Sequence, residues 1–129
     1  MRDDYGMAVL LITHDFGVVS MMADRVVVLY AGRPAETGPA SDVLRRPRHP
    51  YAQGLIASVM NAATRPRRLA QIAGEVPDVM RLPPGCSFRP RCDQAMARCL
   101  EDPPMTTAAP GHSARCWLVQ PGSRRVADA

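Results

Sequence analysis

The pattern of apolar and polar residues divides the chain into a regular front and a proline-rich remainder. A continuous apolar run from Met7 to Thr13 has the length and composition of a buried β-strand. The next segment, Asp15 to Ala23, predicts a helix whose first turn is capped by Asp15. Arg25 to Ala31 contains three consecutive valines and predicts a second strand.

Shorter elements are expected beyond this point. Gly32 supplies a turn, and Pro34 to Gly38 is predicted to return as a short edge strand. A short helix follows from about Pro39 to Arg45. Pro50 suits the first turn of a longer helix because its φ is preset and it has no N–H to satisfy there. One face of that helix carries apolar side chains at helical spacing, namely Tyr51, Leu55, Ile56 and Val59.

Composition adds only a few constraints. The net charge is +4, and all sixteen basic residues are arginines spread along the chain. Because the positive charge is small and dispersed and aromatic residues make up only 5%, we have no reason to expect a nucleic-acid partner. No apolar run reaches the roughly 18 residues of a membrane span, and the N-terminus lacks the layout of a signal peptide. We therefore expect a cytoplasmic chain whose contact with a membrane comes through a partner.

Four cysteines fall within a short proline-rich segment. They are separated by five, six and sixteen residues and form no C-x-x-C pair, the four being Cys86, Cys92, Cys99 and Cys116. Four thiolates match the ligand number of an iron–sulfur cluster or a tetrahedral zinc site. Neighbouring arginines are expected to favour the thiolate form. The alternative is four reduced cysteines in a loop that folds without metal.

The front of the chain resembles a known family. Met7 to Arg33, with Ile12-Thr13-His14-Asp15 at the end of the predicted strand, resembles the switch-histidine region of ABC transporter ATPases. The resemblance implies that His14 hydrogen-bonds the γ-phosphate of ATP and helps to order the attacking water. An imidazole suits this task because it can donate a hydrogen bond to phosphate or water.

A longer sequence motif makes the resemblance to one group of these ATPases more specific. YAGRPAETGPASDVLRRPRHPYAQGLIAS resembles the ATP-binding subunits of dipeptide and oligopeptide ABC transporters. That family combines a Tyr-Ala-Gly turn, a Glu-x-Gly return strand and an R-x-P-x-H-P-Y-x-x-G-L motif. Within the last motif, we expect His49 to have a structural role at the start of a packed helix.

The tail carries a third motif of the same family. Its pattern is G-C-x-F-x-x-R-C-x6-C, followed by Pro-Pro and by a histidine four residues before the last cysteine. The matching positions are Gly85, Cys86, Phe88, Arg91, Cys92, Cys99, Pro103, Pro104, His112 and Cys116. The resemblance implies that the four cysteines ligate a 4Fe–4S cluster. Their spacing alone does not distinguish iron–sulfur from zinc.

The implied architecture is α/β. Residues 1–40 are expected to be a remnant of an ABC nucleotide-binding domain, and residues 41–129 a mostly irregular, proline-rich extension with the four-cysteine tail. No lysine is present, so no P-loop can be formed, and the LSGGQ-like loop and the Walker B Asp–Glu pair are also absent. We expect ATP hydrolysis only in an intact subunit, with ATP and Mg²⁺ bound, and not by this chain alone. The chain is expected to be a truncated gene product or one half of a split gene.

Two functions of different classes follow. The first is the C-terminal part of a peptide-transporter ATPase subunit, with three expected partners: the missing N-terminal half, a second ATPase subunit and the transmembrane permease subunits. It would lie on the inner face of the cell membrane and energise import of peptides, nickel or another small solute. The second is a stand-alone metal-binding interaction module that uses the cysteine tail.

Overall fold

A computed structural model describes residues 6–64 and 72–120. These residues contain three α-helices, α1 (Phe16–Met22), α2 (Ala40–Arg45) and α3 (Pro50–Thr64). The same residues contain four strands, β1 (Arg25–Tyr30), β2 (Arg33–Pro39), β3 (Met105–Ala109) and β4 (His112–Arg115). They form one antiparallel sheet in the order β1-β2-β4-β3. The expected mixture of helices and strands is therefore confirmed, in a small domain whose sheet is antiparallel.

The strand predicted from Met7 to Thr13 is wrong. This segment has no regular secondary structure, and its side chains are exposed, with Leu10 and Ile12 at 90% and 91%. A strand forms only where a neighbouring backbone satisfies its N–H and C=O groups. Within the described residues, no other strand lies beside this run. Its apolar composition alone does not make it a strand.

The helix that follows agrees with the prediction. The Asp15 carboxylate accepts hydrogen bonds from the N–H groups of Gly17 at 2.8 Å and Val18 at 3.2 Å. These contacts satisfy donors that have no partner inside the first turn, which is the function of an N-cap. Helix α1 nevertheless has no buried residue, and its Met21 and Met22 side chains are exposed.

The predicted turn at Gly32 connects β1 and β2. Ala31 and Gly32 both have positive φ, 47° and 76°, which matches the twist that a two-residue hairpin requires. Val28 and Tyr30 of β1 are buried, whereas the alternate residues Val27 and Leu29 are exposed. Strand β1 thus presents one covered and one uncovered apolar face.

Strand β2 lies inside the sheet, so its prediction as an edge strand was wrong. It pairs with β1 on one side and with β4 on the other, through Glu36 opposite Ala114 and Thr37 opposite Ser113. The pairing partner was missed because β3 and β4 lie about seventy residues away in a proline-rich region predicted to be mostly irregular. Local patterns carry no information on such a distant pairing. The sheet consequently joins strands from both sides of residue 40.

In the described part of the chain, the buried apolar residues form two clusters. One contains Val28, Val43 and Ala52, and so joins β1 to α2 and α3. The other contains Tyr30, Ala35 and Phe88, and fixes the cysteine-containing segment against the sheet. On the predicted apolar face of α3, Ile56 is buried and Val59 is exposed. None of the helices in the described residues has the length and apolar character needed to cross a bilayer.

Candidate functional site

A buried carboxylate connects three separate parts of the chain. Glu36 on β2 is completely buried, and its Oε1 lies 2.6 Å from His112 Nε2 on β4. The backbone N–H groups of Arg48 and His49 donate to the same carboxylate at 2.8–3.0 Å. Burying a carboxylate is costly unless its oxygens are hydrogen-bonded. Glu36 therefore holds β2, β4 and the segment preceding α3 in one fixed arrangement, which we call the Glu36 centre.

Gly38 provides the space that this arrangement needs. A Cβ atom added at Gly38 would lie 2.9 Å from His112 Cδ2 and 3.2 Å from Val43 Cγ2. Both distances are shorter than ordinary van der Waals contact, so a larger residue would push the imidazole away. The Glu-x-Gly pattern thus has a physical explanation. Glu36 binds the His112 ring, and Gly38, two residues later on the same face of β2, makes room for that ring.

His49 begins helix α3 from a buried position. Its Nδ1 accepts a hydrogen bond from the Tyr51 N–H at 3.0 Å, and its backbone C=O accepts one from the Gln53 N–H. Burial lowers the pKa of His49 to about 4, although a hydrogen bond with the Arg115 backbone opposes this effect. The ring is therefore neutral at pH 7. These contacts confirm the predicted structural role.

An aromatic cluster fixes the cysteine-containing segment to the sheet and to α3. The Phe88 ring centroid lies 5.0 Å from that of Tyr30 and 5.5 Å from that of Tyr51. The Tyr30–Tyr51 distance is 4.7 Å, and His49 lies 5.7 Å from Phe88. Such tilted and edge-on pairs add to the free energy gained by burying the rings. Phe88 anchors the chain between the first two cysteines.

Two arginines within the same segment contact residues on either side of it in the sequence or at its C-terminal end. The Arg91 guanidinium donates to the backbone C=O of Ile72 at 3.1 Å and Ala73 at 2.9 Å. The Arg98 guanidinium carbon lies 3.9 Å from the centre of the Trp117 ring, a cation–π contact. The Trp117 indole N–H also donates to the Glu101 C=O at 3.1 Å. These arginines serve as packing and hydrogen-bonding groups.

The structure brings the four cysteines together. All four line one cavity, beside His49, Phe88 and Trp117. The sulfurs are unbonded; Cys99 and Cys116 are buried, and the other two are half-buried. Burial raises the pKa of Cys92 and of Cys116 to about 11 and also raises that of Cys86. The expectation that neighbouring arginines favour thiolates was therefore wrong, because desolvation outweighs them.

The cavity does not fit the implied metal groups as the chain is folded here. Its volume is about 10 Å³, which is room for a single water molecule. Across residues 6–64 and 72–120, no three His, Cys, Asp or Glu side chains are arranged to hold a metal ion. The structure thus gives no support to a 4Fe–4S cluster, to zinc or to a stand-alone metal-binding module. The assignment of the four cysteines as ligands stays a prediction.

His14 lies apart from the features described above. It is exposed, between the apolar segment from Met7 to Thr13 and α1, and the adjacent Asp15 N–H donates to the Thr13 hydroxyl at 3.0 Å. Its predicted position at the end of a strand was wrong because Met7 to Thr13 is not a strand. Its role toward ATP stays a prediction.

The sequence reasoning missed the Glu36–His112 pair. Both residues belong to motifs quoted for the family resemblance, the Glu-x-Gly strand and the histidine before the last cysteine. Nothing in either motif indicates that the two meet across 76 residues. The available signal was that Glu36 stands among the small residues Ala35, Thr37 and Gly38, where a buried polar side chain needs a partner.

Comparison with known proteins is consistent across most of the chain. A family model described as the C-terminal region of oligopeptide/dipeptide transporters matches residues 35–99. A putative peptide import ATP-binding protein of Brucella melitensis is 43% identical over 116 residues, 90% of this chain and 35% of that protein. The oligopeptide transport ATP-binding protein OppD of Salmonella typhimurium is 40% identical over 117 residues, 91% of this chain and 35% of its own length. The chain thus spans about a third of the relatives it matches.

Proposed function

This chain belongs to the family of C-terminal regions of oligopeptide/dipeptide transporters, and from this premise we propose that it works as part of an ATP-binding subunit that energises peptide import. The observation that carries the proposal is the match over residues 35–99. This stretch contains the Glu36 centre's carboxylate, Gly38, the start of α3 and three of the four cysteines. Similarity to named peptide import ATP-binding proteins supports the same conclusion.

In the proposed subunit, ATP and Mg²⁺ are bound by residues that this chain does not supply. The chain has no lysine and hence no P-loop. Its own contribution to hydrolysis would be the His14 imidazole, placed at the γ-phosphate and the attacking water. The exposure of His14 supports this role, because the ring is accessible to a nucleotide held by another part of the subunit.

The exposed apolar residues support a partner at the front of the chain. Met7, Val9, Leu10, Leu11 and Ile12 are all exposed, as are Val27 and Leu29 on the outer face of β1. Apolar surface of this extent is typical of a protein interface. We propose that the remaining two thirds of the ATPase covers this apolar surface. Through a second ATPase subunit and permease subunits, the assembly would lie on the cytoplasmic face of the membrane.

The proposal also includes a division of the chain at residue 40. Residues 1–40 would belong to the nucleotide-binding part and residues 41–129 to the extension. Because β2 pairs with β4 and Glu36 binds His112, movements of the extension would be transmitted rigidly to β1 and β2. The extension would then dock or regulate the assembled ATPase, with no direct contact to the transported peptide.

A chimeric subunit tests the proposal. The aligned third of the Salmonella typhimurium OppD protein is replaced by this chain, and ATP hydrolysis and peptide import are measured in cells lacking the native subunit. We expect both activities to be retained. The matched His14→Ala chimera should assemble equally well but lose most of its hydrolysis, since one transition-state contact is commonly worth a factor of 10² or more. A chimera that folds and binds its permease yet never supports import would contradict the proposal.

The iron–sulfur assignment of the cysteines belongs to this proposal as a separate element. Its support is the meeting of Cys86, Cys92, Cys99 and Cys116 at one cavity, although their present arrangement does not hold a metal. Iron and zinc content is measured on the chain purified without oxygen, with the Cys86→Ser, Cys92→Ser double variant as control. Equal metal content in both proteins would exclude a resident metal at these cysteines.

A further inference from the structure

The residues on either side of His14 are joined by short hydrogen bonds. The Thr13 hydroxyl, before His14, accepts from the Asp15 N–H at 3.0 Å. The Asp15 carboxylate, after His14, accepts from the N–H groups of Gly17 at 2.8 Å and Val18 at 3.2 Å. Asp15 therefore uses its backbone toward the residue before His14 and its side chain toward the start of α1. Because His14 stands between these two contacts, they restrict its backbone.

Helix α1 connects this restricted turn to the sheet. The Val19 N–H donates to the Asp15 C=O at 3.1 Å, which is the first hydrogen bond of the helix. Beyond the last turn, the Asp24 C=O accepts from the Ala40 N–H at 3.0 Å, and α1 also contacts α2. A helix of seven residues is too short to be stable alone. Helix α1 thus depends on its Asp15 cap at one end and on this attachment at the other.

The His14 side chain itself is exposed, so packing does little to hold it. The rotamers open to such a side chain are set by its backbone conformation. In the proposed subunit, the imidazole must meet the γ-phosphate and the attacking water. A misplacement of about 1 Å in an active site can lower the rate by a factor of about 100. The backbone of residues 13–15 therefore has to place the ring accurately.

We propose that Asp15 and Thr13 are positioning residues for ATP hydrolysis, which hold the His14 imidazole in its working position without contacting the nucleotide. This inference rests on the proposed function, since it needs His14 to act on ATP. Both oxygen acceptors are already engaged, the Thr13 hydroxyl by the Asp15 N–H and the Asp15 carboxylate by α1. The two residues consequently act through His14.

The test uses the chimeric subunit in which this chain replaces the aligned third of OppD, with kcat and KM for ATP measured. Asp15→Ala should lower kcat by about tenfold or more. The KM for ATP should change by less than about twofold, because the His14 contact is made in the transition state. Asp15→Asn should restore most of the kcat, since asparagine caps a helix as well as aspartate does.

Thr13 is tested with two substitutions of similar size. Thr13→Val removes the hydroxyl acceptor and should lower kcat in the same way, by a smaller factor than Asp15→Ala. Thr13→Ser keeps the hydroxyl and should retain most of the kcat. Because valine matches threonine in shape, this pair also decides the matter if the Asp15→Ala chimera cannot be recovered folded.

A double-mutant cycle separates positioning from a general loss of structure. In the His14→Ala chimera, adding Asp15→Ala should cause no further loss of kcat, because no imidazole is left to position. Ser20→Ala is the matched control within the same helix. It removes the hydrogen bond from the Ser20 hydroxyl to the Gly17 C=O at 2.8 Å and should leave kcat unchanged.

The outcomes distinguish this inference from the proposed function. A chimera that folds and assembles but hydrolyses no ATP would overturn both. If the chimera is active, an unchanged kcat in Asp15→Ala and Thr13→Val would overturn the positioning role alone. The same holds for a kcat lowered equally with and without His14, which would show that Asp15 only stabilises the fold. Failure of Asp15→Asn to restore kcat would also overturn it, because the capping contact would then not be the cause.

Discussion

The segment from Met7 to Ile12 and strand β1 contain similar apolar residues, but the first is exposed and the second is partly buried. Met7 to Ile12 is more continuously apolar than β1, yet it has no regular secondary structure and is exposed, whereas β1 buries Val28 and Tyr30. The difference lies in their neighbours. β1 has β2 beside it and α2 and α3 over one face, while the front has no strand beside it in the described part of the chain. Apolar composition indicates what a segment can bury, and a partner decides whether it does so.

The largest loss of stability should come from removing the buried contacts that hold the sheet together. Glu36→Ala removes the acceptor of two backbone N–H groups and of His112, leaving buried donors without partners. We expect the free energy of unfolding to fall by about 3–5 kcal/mol, measured by urea denaturation. Glu36→Gln, which keeps one acceptor oxygen, is the matched control and should lose less. Equal losses for both variants would mean that the carboxylate charge, and not the single acceptor oxygen that Gln retains, makes this position important.

Acid should weaken the same region through His49. Its pKa is lowered from 6.5 in the unfolded chain to about 4 in the folded chain. Between these values the unfolded state binds more protons, so stability falls as the pH falls through this window and is constant with respect to His49 above it. The total loss is about 3 kcal/mol for a pKa difference of this size.

The measurement is the urea midpoint from pH 7 to pH 4. His49→Asn, whose side-chain oxygen can still accept from the Tyr51 N–H, serves as the control and should show a much weaker pH dependence. An unchanged slope in this variant would assign the effect to other titrating groups.

A smaller loss is expected from Gly38→Ala. The added methyl group meets the His112 ring at 2.9 Å, and overpacking of this kind costs about 1–3 kcal/mol. A double-mutant cycle with His112→Ala identifies the cause by comparing urea denaturation of the two single variants and the double variant. We expect Gly38→Ala to cost much less once the ring is absent. Additive losses would show that the clash with Val43, and not with His112, dominates.

The smallest effect on stability should come from substitutions on the exposed face of β1. Val27→Thr and Leu29→Thr, on the uncovered face of β1, should change the free energy of unfolding by no more than about 0.5 kcal/mol. In the chimera with OppD, the same substitutions should reduce the yield of assembled subunit, because we propose that this face is covered there. Val28→Thr, on the covered face, is the contrasting control and should destabilise the isolated chain.

Sequence patterns correctly predicted the elements that depend only on neighbouring residues. The Asp15 cap, the Gly32 turn and the start of α3 at Pro50 all depend on residues within a few positions, and all are confirmed. The errors arose where distant chain segments decide the outcome. Met7 to Thr13 needs a strand that the described residues do not provide, and β2 is interior because β4 pairs with it. The Glu36–His112 contact and the meeting of the cysteines belong to this second class.

The contact between Arg98 and Trp117 has a practical consequence. Trp117 is the only tryptophan in the chain; the residue is 7% exposed, and the Arg98 guanidinium lies over its ring. Its fluorescence therefore arises from a single site within the cysteine-containing segment, next to Cys116 and the cavity. Loosening of that segment would expose the indole to water and shift its emission to longer wavelength. Trp117 fluorescence can therefore be used to follow the unfolding of the cysteine-containing segment separately from changes at Met7 to Ile12.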